Sequence, residues 1–271
     1  MKGLINNKYL LLDKIGSGSF GSIYKGQNVR TNELVAIKVE PIHNNLNLLK
    51  NESIIYQYLK GQNNIPQLKW YGKDENNYYM IINLFGNSLQ KILIENKKFT
   101  LPLILKLAIK IILLLKTIHE KGLVHRDIKP DNFLFSPNSF NDLYLIDFGF
   151  CKKYTENDQH VKLKSTHSII GSLNYASIMS HKRIELSRRD DFESLCYMLF
   201  YFYDGTLPWS SETIEIEIFR QKVDLINSNK YPNVIMELYK YVRSMEFEEK
   251  PNYFLIIDSF KREIELLSKN N

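Results

Sequence analysis

His125-Arg126-Asp127-Ile128-Lys129-Pro130-Asp131-Asn132 is the stretch of this 271-residue chain that decides its fold. It puts a carboxylate, an ammonium and an amide into one short loop, and these are the groups needed to move a phosphoryl group. Fifteen residues past Asn132 stands Asp147-Phe148-Gly149, whose carboxylate is available to hold a metal ion opposite the first loop. We therefore interpret the rest of the sequence as support for a phosphoryl-transfer site.

The composition is that of a globular protein. With 44% hydrophobic residues, the chain can fold as one large unit or as two lobes that each have a core. Cys151 and Cys196 form no CxxC pair, and the six histidines lack the spacing of metal ligands. We expect free thiols in a reducing compartment, the cytoplasm or the nucleus. The segment from Met1 to Asn7 has no apolar run, so secretion and lipid anchoring have no support.

One apolar segment, Leu101 to Ile118, could be mistaken for a membrane span. It carries Lys106, Lys110 and Lys116, and each lysine would cost roughly 2.5 to 3.5 kcal/mol at the centre of a bilayer. The segment is therefore predicted to be a helix of a protein core.

The N-terminal part of the chain has the pattern of a small β-sheet. Residues 9–40 alternate short apolar runs with Gly-rich or polar turns, which predicts three antiparallel strands, and residues 68–71 and 78–84 predict two more. Between them, residues 46–59 have the apolar spacing of a helix that carries Glu52. Five strands and one main helix make a small lobe.

After Gly86 the pattern becomes helical. The predicted helices cover residues 88–95, 101–118, 190–203, 212–226, 233–244 and 253–267. Strand signals in this part are confined to residues 133–135 and 143–146. The predicted fold class is α+β and bilobal. It has a mostly antiparallel β N-lobe at residues 1–82, a hinge at 83–86 and a larger α-helical C-lobe at 87–271.

A glycine-rich motif precedes a lysine and a glutamate at informative distances. Gly16-Ser17-Gly18-Ser19-Phe20-Gly21 matches GxGxxG, which Rossmann folds also use at the start of a helix. Here residues 22–25 continue as a strand, which predicts a β-turn-β flap that can lie over phosphates. Lys38 follows on the next strand and Glu52 on the predicted helix, within reach of an ion pair that would hold Lys38 against the α/β-phosphates of a nucleotide.

These features, in this order, resemble the signature set of protein kinases over the whole chain. The resemblance implies a single domain with the bilobal protein-kinase fold and with ATP and Mg²⁺ as cofactors. It implies that Asp127 accepts or orients the substrate hydroxyl proton and that Asn132 and Asp147 bind Mg²⁺. Lys129 can neutralise charge on the transferring γ-phosphoryl group, and its position looks like that of Ser/Thr kinases, because tyrosine kinases typically have Ala there.

The resemblance also implies an ATP pocket. Its apolar walls would be Ile15, Ile23, Ala36, Ile82, Leu134 and Ile146, and backbone groups of Asn83 and Phe85 would bond the adenine edge. The phosphates would meet Gly16, Ser17, Gly18, Ser19, Phe20, Gly21, Lys38 and, through Lys38, Glu52. Each of these apolar residues, taken alone, could instead belong to an ordinary hydrophobic core and not contact adenine.

Three stretches are similar to casein kinase I in particular. They are Leu84 to Leu89, Asp147 to Tyr154, and Gly171 to Trp209, where Ser177-Ile178-Met179 stands in place of the Ala-Pro-Glu of most protein kinases. This family resemblance implies acidic or phosphate-primed protein substrates and constitutive activity. It also implies that Asp191 braces the 125–127 loop from the start of an apolar helix.

The substrate preference is less regular than the family pattern. Residues 151–189 hold eight Lys or Arg against three acids, a charge of +5 within a chain of net charge +6. Asn174 stands where the family commonly has Arg, which removes a bidentate anion donor. Our hypothesis is an anion site in which Lys222 and Arg183, with neighbouring lysines, partly compensate and phosphate priming is weakened.

Two alternatives stay open from the residues. The first is a catalytically inactive kinase-fold scaffold, although no essential residue is missing, and the second is a kinase of the vaccinia-related or tau-tubulin branch. A nucleic-acid-binding role depends on net charge alone. We expect a monomer that acts on protein substrates and binds neither nucleic acid nor membrane. Because the chain stops at Asn271, soon after its last predicted helix, we expect no autoinhibition by a tail.

Overall fold

The protein is described by a computed structural model at residues 4–18, 21–43, 48–137 and 139–269. It divides into two compact units, Met1–Asn87 with Leu134–Phe150, and Ser88–Phe133 with Cys151–Asn271. The first contains the sheet and the second most of the helices, so the predicted α+β class is confirmed. The predicted limits of N-lobe, hinge and C-lobe stay a prediction.

The first unit is built on a five-stranded antiparallel sheet of order β1-β2-β3-β5-β4. The strands are β1 Tyr9–Gly18, β2 Gly21–Asn28, β3 Leu34–Pro41, β4 Leu68–Lys73 and β5 Asn77–Asn83. Their alternating side chains bury Tyr9, Val35, Ile37 and Ile81 in one core. The main helix, α1 Leu48–Tyr58, buries Leu49, Ile55 and Tyr56. This confirms the predicted small lobe of five strands and one helix.

The second unit is mainly helical. Its helices are α2 Leu89–Asn96, α3 Leu101–Glu120, α4 Ile178–His181, α5 Arg188–Asp204, α6 Glu215–Asp224, α7 Asn233–Ser244 and α8 Tyr253–Lys269. Helix α5 is buried along most of its length and α3 along one wide face, and α3 packs against both α5 and α8. None of the helices in the described ranges has both the length and the apolar content to cross a membrane. The apolar segment at 101–118 is a core helix, as predicted.

Short elements around the loops were not predicted. Strands β6 Leu123–Val124, β9 Lys152–Lys153, β10 Thr155–Glu156 and β11 Gln159–His160 are two residues long, too short for a periodic signal. A hairpin of β7 Phe133–Ser136 and β8 Ser139–Leu145 starts four residues earlier in its second strand than predicted. The helix predicted at 212–226 is α6 followed by a 3₁₀ turn at Leu225–Asn227.

Candidate active site

The glycine-rich segment forms a flap between two strands, as predicted. Gly18 at the end of β1 pairs with Gly21 at the start of β2. A Cβ atom on Gly21 would lie 2.1 Å from the carbonyl oxygen of Val39, so this close approach of two backbones requires glycine. Ser19 and Phe20, at the tip of the predicted phosphate-binding loop, lie outside the described residues.

Lys38 is the centre of the charged group in the first unit. Its ammonium lies on β3, 2.6 Å from Glu52 Oε2 on α1 and 2.9 Å from Asp147 Oδ1. The predicted ion pair between Lys38 and Glu52 is therefore present. Burial would lower the pKa of Lys38, but the carboxylates of Asp147 and Glu52 outweigh burial and raise it well above its usual range. Lys38 is held as a cation beside a carboxylate on either side.

The turn at residues 147–149 is fastened to α1. The Asn51 side-chain amide donates to the Gly149 carbonyl oxygen at 2.8 Å, and the Asp147 backbone amide donates to the Tyr56 hydroxyl at 3.3 Å. Phe148 is fully buried and packs edge-on against Tyr56, with ring centroids 5.2 Å apart. Asp147 has φ of 65°, a left-handed conformation that costs a non-glycine residue about 1–3 kcal/mol. The helix thus holds Asp147 in a strained conformation that directs its carboxylate to Lys38.

The predicted adenine-pocket residues differ in burial, from the exposed Ile15 to the buried Ile82. Ala36 on β3 pairs with Ile82 on β5, and Ile15 is 51% exposed. Ile23, Ala36, Leu134 and Ile146 are half-buried, and Ile82 is 9% exposed. Asn83 accepts a bond from the Gln67 amide through its side chain, and Phe85 packs on Tyr144. Apolar side chains that keep exposed surface are available to a ligand, and the adenine contacts stay a prediction.

Asp127 is the centre of a second group, in the helical unit. It is 4% exposed, and its Oδ2 accepts from the Lys129 ammonium at 2.7 Å. Its Oδ1 accepts from the backbone amide of Ser172 at 2.9 Å and from the Ser172 hydroxyl at 3.0 Å. The Asn132 side-chain amide donates to the Asp127 carbonyl oxygen at 2.8 Å. Three donors therefore bond the Asp127 carboxylate, and a fourth, from Asn132, bonds the Asp127 backbone carbonyl.

Ser172 was not identified from the sequence. Its hydroxyl also lies 3.0 Å from the Lys129 ammonium, so Ser172 connects both predicted catalytic residues. The preceding residue, Gly171, has φ of 87°, and a Cβ there would lie 2.6 Å from the Arg126 carbonyl oxygen. The glycine was the available signal, because only a residue without a side chain permits this approach.

Asp191 braces the loop as the family resemblance implies. Its two carboxylate oxygens accept from the backbone amides of His125 and Arg126, each at 2.8 Å. His119 Nε2 lies 2.9 Å from Asp191 Oδ2, and His119 Nδ1 lies 2.8 Å from the Tyr253 hydroxyl. Burial would raise the pKa of Asp191, but the bond to His119 and the neighbouring charges lower it. His119 and Tyr253, which the sequence did not indicate, extend this support to α3 and α8.

Glu185 gathers three cations in the same unit. Its carboxylate lies 2.7 Å from the Lys152 ammonium, 3.8 Å from the Arg126 guanidinium and 3.9 Å from the Lys164 ammonium, and its side chain is 2% exposed. Arg126 immediately precedes Asp127. The buried carboxylate thus neutralises charge next to the predicted catalytic residue.

The two residues predicted for a substrate anion site have other partners, so that prediction needs correction. Arg183 makes a two-pronged ion pair with Glu215, at 2.8 and 3.0 Å. Lys222 is fully buried, and its nitrogen donates to the carbonyl oxygens of Leu173 at 2.6 Å and Ala176 at 2.7 Å. A nitrogen enclosed in this way is not presented to an anion at the surface, and the Arg183 charge is already paired.

The residues proposed for Mg²⁺ are chemically suited to it. Asp147 supplies a carboxylate. The side-chain nitrogen of Asn132 donates to the Asp127 carbonyl oxygen, so the side-chain oxygen of Asn132 is the atom that would bind the metal. Mg²⁺ prefers such oxygen ligands and is commonly held by one or two carboxylates together with substrate phosphates. Among the described residues, no three His, Cys, Asp or Glu side chains form a metal-binding group by themselves.

Residues 9–259 match the family described as protein kinase domain. The match runs from the start of β1 into α8 and includes every residue of the two groups around Lys38 and Asp127.

Proposed function

We propose, because this chain belongs to the protein kinase domain family, that it is a serine/threonine kinase of casein kinase I type. In this proposal it transfers the γ-phosphoryl group of Mg-ATP to Ser or Thr of acidic or phosphate-primed proteins. The observation that carries the proposal is the group of Asp127, Lys129 and Ser172, with a carboxylate and an ammonium 2.7 Å apart.

Asp127, Lys129 and Lys38 each have a separate chemical task in this proposal. Asp127 is buried and bonded on both oxygens, so its carboxylate is oriented to accept a proton from a substrate hydroxyl. Lys129 is placed to neutralise charge on the transferring phosphoryl group, and Lys38 to hold the α/β-phosphates. Mg²⁺, for which Asp147 and Asn132 are the proposed ligands, would neutralise phosphate charge when bound. Lys129 is also the residue that supports Ser/Thr over Tyr as acceptor.

The replacement of Ala-Pro-Glu by Ser177-Ile178-Met179 supports the casein kinase I assignment because the segment makes its own set of hydrogen bonds. Ser177 caps α4 by accepting from the Ser180 amide at 3.2 Å, and its hydroxyl donates to Asp190 at 2.6 Å. Glu193 accepts from the Ile178 amide at 2.9 Å. All of these partners lie in one unit. Ser177-Ile178-Met179 is therefore held by hydrogen bonds and is not a defect in a kinase motif.

Acidic substrates are supported by the exposed lysines of the second unit. Lys153, Lys162, Lys164 and Lys182 are exposed, and long-range attraction to acidic peptides follows from such a surface. Asn174 is not a cation, Arg183 is paired and Lys222 is enclosed. We therefore propose weak phosphate priming. The test is kcat/KM for a serine peptide with and without phosphoserine three residues before the acceptor, and a large preference for the phosphorylated peptide would contradict the proposal.

Constitutive activity is supported by Glu185. Clusters of Arg and Lys near a catalytic loop can be ordered by a phosphate group added to the chain. Here Arg126 and Lys152 already have a carboxylate partner, which does not depend on phosphorylation. Phosphatase treatment of the purified protein is expected to leave the initial rate unchanged. A large rate increase on phosphorylation by an upstream kinase would contradict this part of the proposal.

The central test is phosphorylation of casein with ATP and Mg²⁺ by three proteins. Wild type is expected to be active, and Asp127→Asn is expected to lose about 10²- to 10⁴-fold, the usual contribution of a general base. Asp142→Asn, at an exposed aspartate of β8, is the matched control and is expected to keep full activity. ATP binding without turnover in wild type would instead support the inactive scaffold, and equal activity of Asp127→Asn would remove Asp127 from the site.

A further inference from the structure

Lys222 is a fully buried lysine that the proposed reaction does not use. It lies on α6, and its nitrogen bonds the carbonyl oxygens of Leu173 and Ala176. The same nitrogen lies 3.2 Å from His181 Nε2. An ammonium in a protein interior is unfavourable unless its hydrogen-bonding capacity is used, and here three acceptors or partners surround it.

Two aromatic rings complete the enclosure. The nitrogen lies 4.9 Å from the centre of the Tyr197 ring and 5.3 Å from that of Trp209, distances at which a cation is attracted to a ring face. Trp209 also donates from its indole nitrogen to the Asn174 carbonyl oxygen at 2.9 Å. Burial lowers the pKa of Lys222 to about 7. The ammonium has three N–H donors and the amine has two, so either form can donate to both carbonyls.

The three carbonyls that Lys222 and Trp209 bind belong to one short loop. We call residues 172–177 the substrate loop, because it begins at Ser172, whose amide and hydroxyl contact Asp127 Oδ1. A substrate hydroxyl that reached Asp127 would come close to Ser172, the first residue of this loop. Lys222 and Trp209 therefore hold the loop through the carbonyls of residues 173, 174 and 176, while residue 172 contacts the predicted catalytic base.

We infer that Lys222 is a positioning residue, which holds the substrate loop, and through Ser172 the Asp127 carboxylate, in the orientation needed for a protein substrate. The inference rests on the proposed kinase function and assigns Lys222 a role different from that of a phosphate ligand. A lysine that bound substrate phosphate would have to expose its nitrogen, whereas this nitrogen is bonded to the protein's own backbone.

The first test compares Lys222→Met with wild type. Methionine has a similar length and no donor, so the two carbonyls lose their partner. Hydrogen exchange of the amides of residues 172–177 is expected to become faster. The kcat/KM for a serine peptide is expected to fall about tenfold, the order of effect of unsatisfied buried groups, while KM for ATP stays within about twofold. Lys240→Met, at an exposed lysine of α7, is the matched control and is expected to behave as wild type in every measurement.

A phosphopeptide separates positioning from anion binding. Loss of positioning affects a peptide with phosphoserine three residues before the acceptor and its unphosphorylated form by the same factor. A loss confined to the phosphopeptide would overturn the inference and restore Lys222 as an anion ligand. Unchanged exchange of residues 172–177 in Lys222→Met would also overturn it.

Two further variants decide the question if Lys222→Met does not fold. Trp209→Phe keeps a ring and removes the donor to Asn174, and Lys222→Gln keeps two N–H donors without the charge. In Trp209→Phe the amides of residues 172–177 are expected to exchange faster than in wild type. In Lys222→Gln their exchange rate is also expected to rise, but by less than in Trp209→Phe. Wild-type exchange in both would overturn the inference. The exchange measurement needs no turnover, so an inactive wild type would refute the proposed function and leave the role of Lys222 to be decided by exchange.

Discussion

The ammonium of Lys129 lies 2.7 Å from Oδ2 of Asp127, two residues earlier in the chain. The pair is completed by Ser172, which bonds both residues from a loop more than forty residues away in sequence. In the proposed reaction this ammonium supplies a positive charge close to the place where the transferring phosphoryl group would develop negative charge.

Lys129→Met should reduce kcat with a much smaller change in KM for ATP. The reason is that the ammonium acts mainly on charge that develops during transfer, and loss of one such donor typically lowers kcat about 10²-fold or more. Steady-state casein phosphorylation measures both constants. Lys261→Met, at an exposed lysine of α8, is the control. An unchanged kcat for Lys129→Met would show that the pair is only structural.

Lys38→Met should destabilise the protein as well as weaken ATP binding. Glu52, whose side chain is 3% exposed, would lose its ion-pair partner, and an uncompensated buried charge costs on the order of 3 kcal/mol. Urea unfolding measures the change. The double variant Lys38→Met/Glu52→Gln removes the orphaned charge and should recover part of the lost stability. A double variant that is less stable than Lys38→Met would contradict this account of the pair.

Glu185→Ala should lower kcat while KM for ATP changes little. Without the carboxylate, Arg126, Lys152 and Lys164 repel one another beside Asp127 and its loop becomes less ordered. A decrease of about tenfold is expected from the loss of a buried charged partner. Glu185→Asp should retain more activity than Glu185→Ala, and Glu237→Ala, at an exposed position of α7, should have no effect. Full activity of Glu185→Ala would show that these cations need no partner.

His181 should make the folded protein less stable in mild acid. Burial, followed by the neighbouring Lys222 charge, lowers its pKa from 6.5 to about 4, although Glu215 opposes and Arg183 adds to the shift. Between these pH values the unfolded chain binds the extra proton, so stability falls as the pH decreases from 6.5 to 4. The contribution is about 2 kcal/mol once solvent screening is allowed for.

The pH dependence of urea unfolding tests this. His181→Gln should lose stability less steeply than wild type between pH 6.5 and 4, the window between its ordinary and its native pKa. His43→Gln, at an exposed histidine, should keep the wild-type slope. Equal slopes for His181→Gln and wild type would mean that another group titrates in this range.

Gly171→Ala should impair the catalytic group more than a similar change elsewhere. Its φ is 87°, and an added Cβ would lie 2.6 Å from the Arg126 carbonyl oxygen, so the residue next to Ser172 would have to move. Gly61 has a similar φ of 83° with nothing within 4 Å of an added Cβ, which makes Gly61→Ala the control for backbone strain alone. Gly61→Ala should cost about 1–2 kcal/mol in unfolding free energy and leave kcat unchanged. Equal effects of the two variants on kcat would contradict the close-contact argument.

Several features could be predicted because their signals are local. The alternation along residues 9–40 produced β1, β2 and β3, and the continued strand after Gly21 distinguished a flap from a helix-opening loop. The ion pair of Lys38 and Glu52 followed from the next strand and helix along the chain, and it is present. Periods of two and 3.6 residues depend on backbone geometry within a few residues, so the sequence carries them directly.

The sequence by itself therefore determined the family, the α+β class and the positions of Asp127, Lys129, Asn132 and Asp147 as candidates. Only the tertiary structure decided that Lys222 turns to the carbonyls of Leu173 and Ala176, and that Glu185 collects Arg126 and two lysines. The partner and the burial of a polar side chain depend on which distant segment packs over it. A lysine has the same local sequence signal whether solvent or a neighbouring loop surrounds its nitrogen, and this is why the predicted anion site could be corrected only in three dimensions.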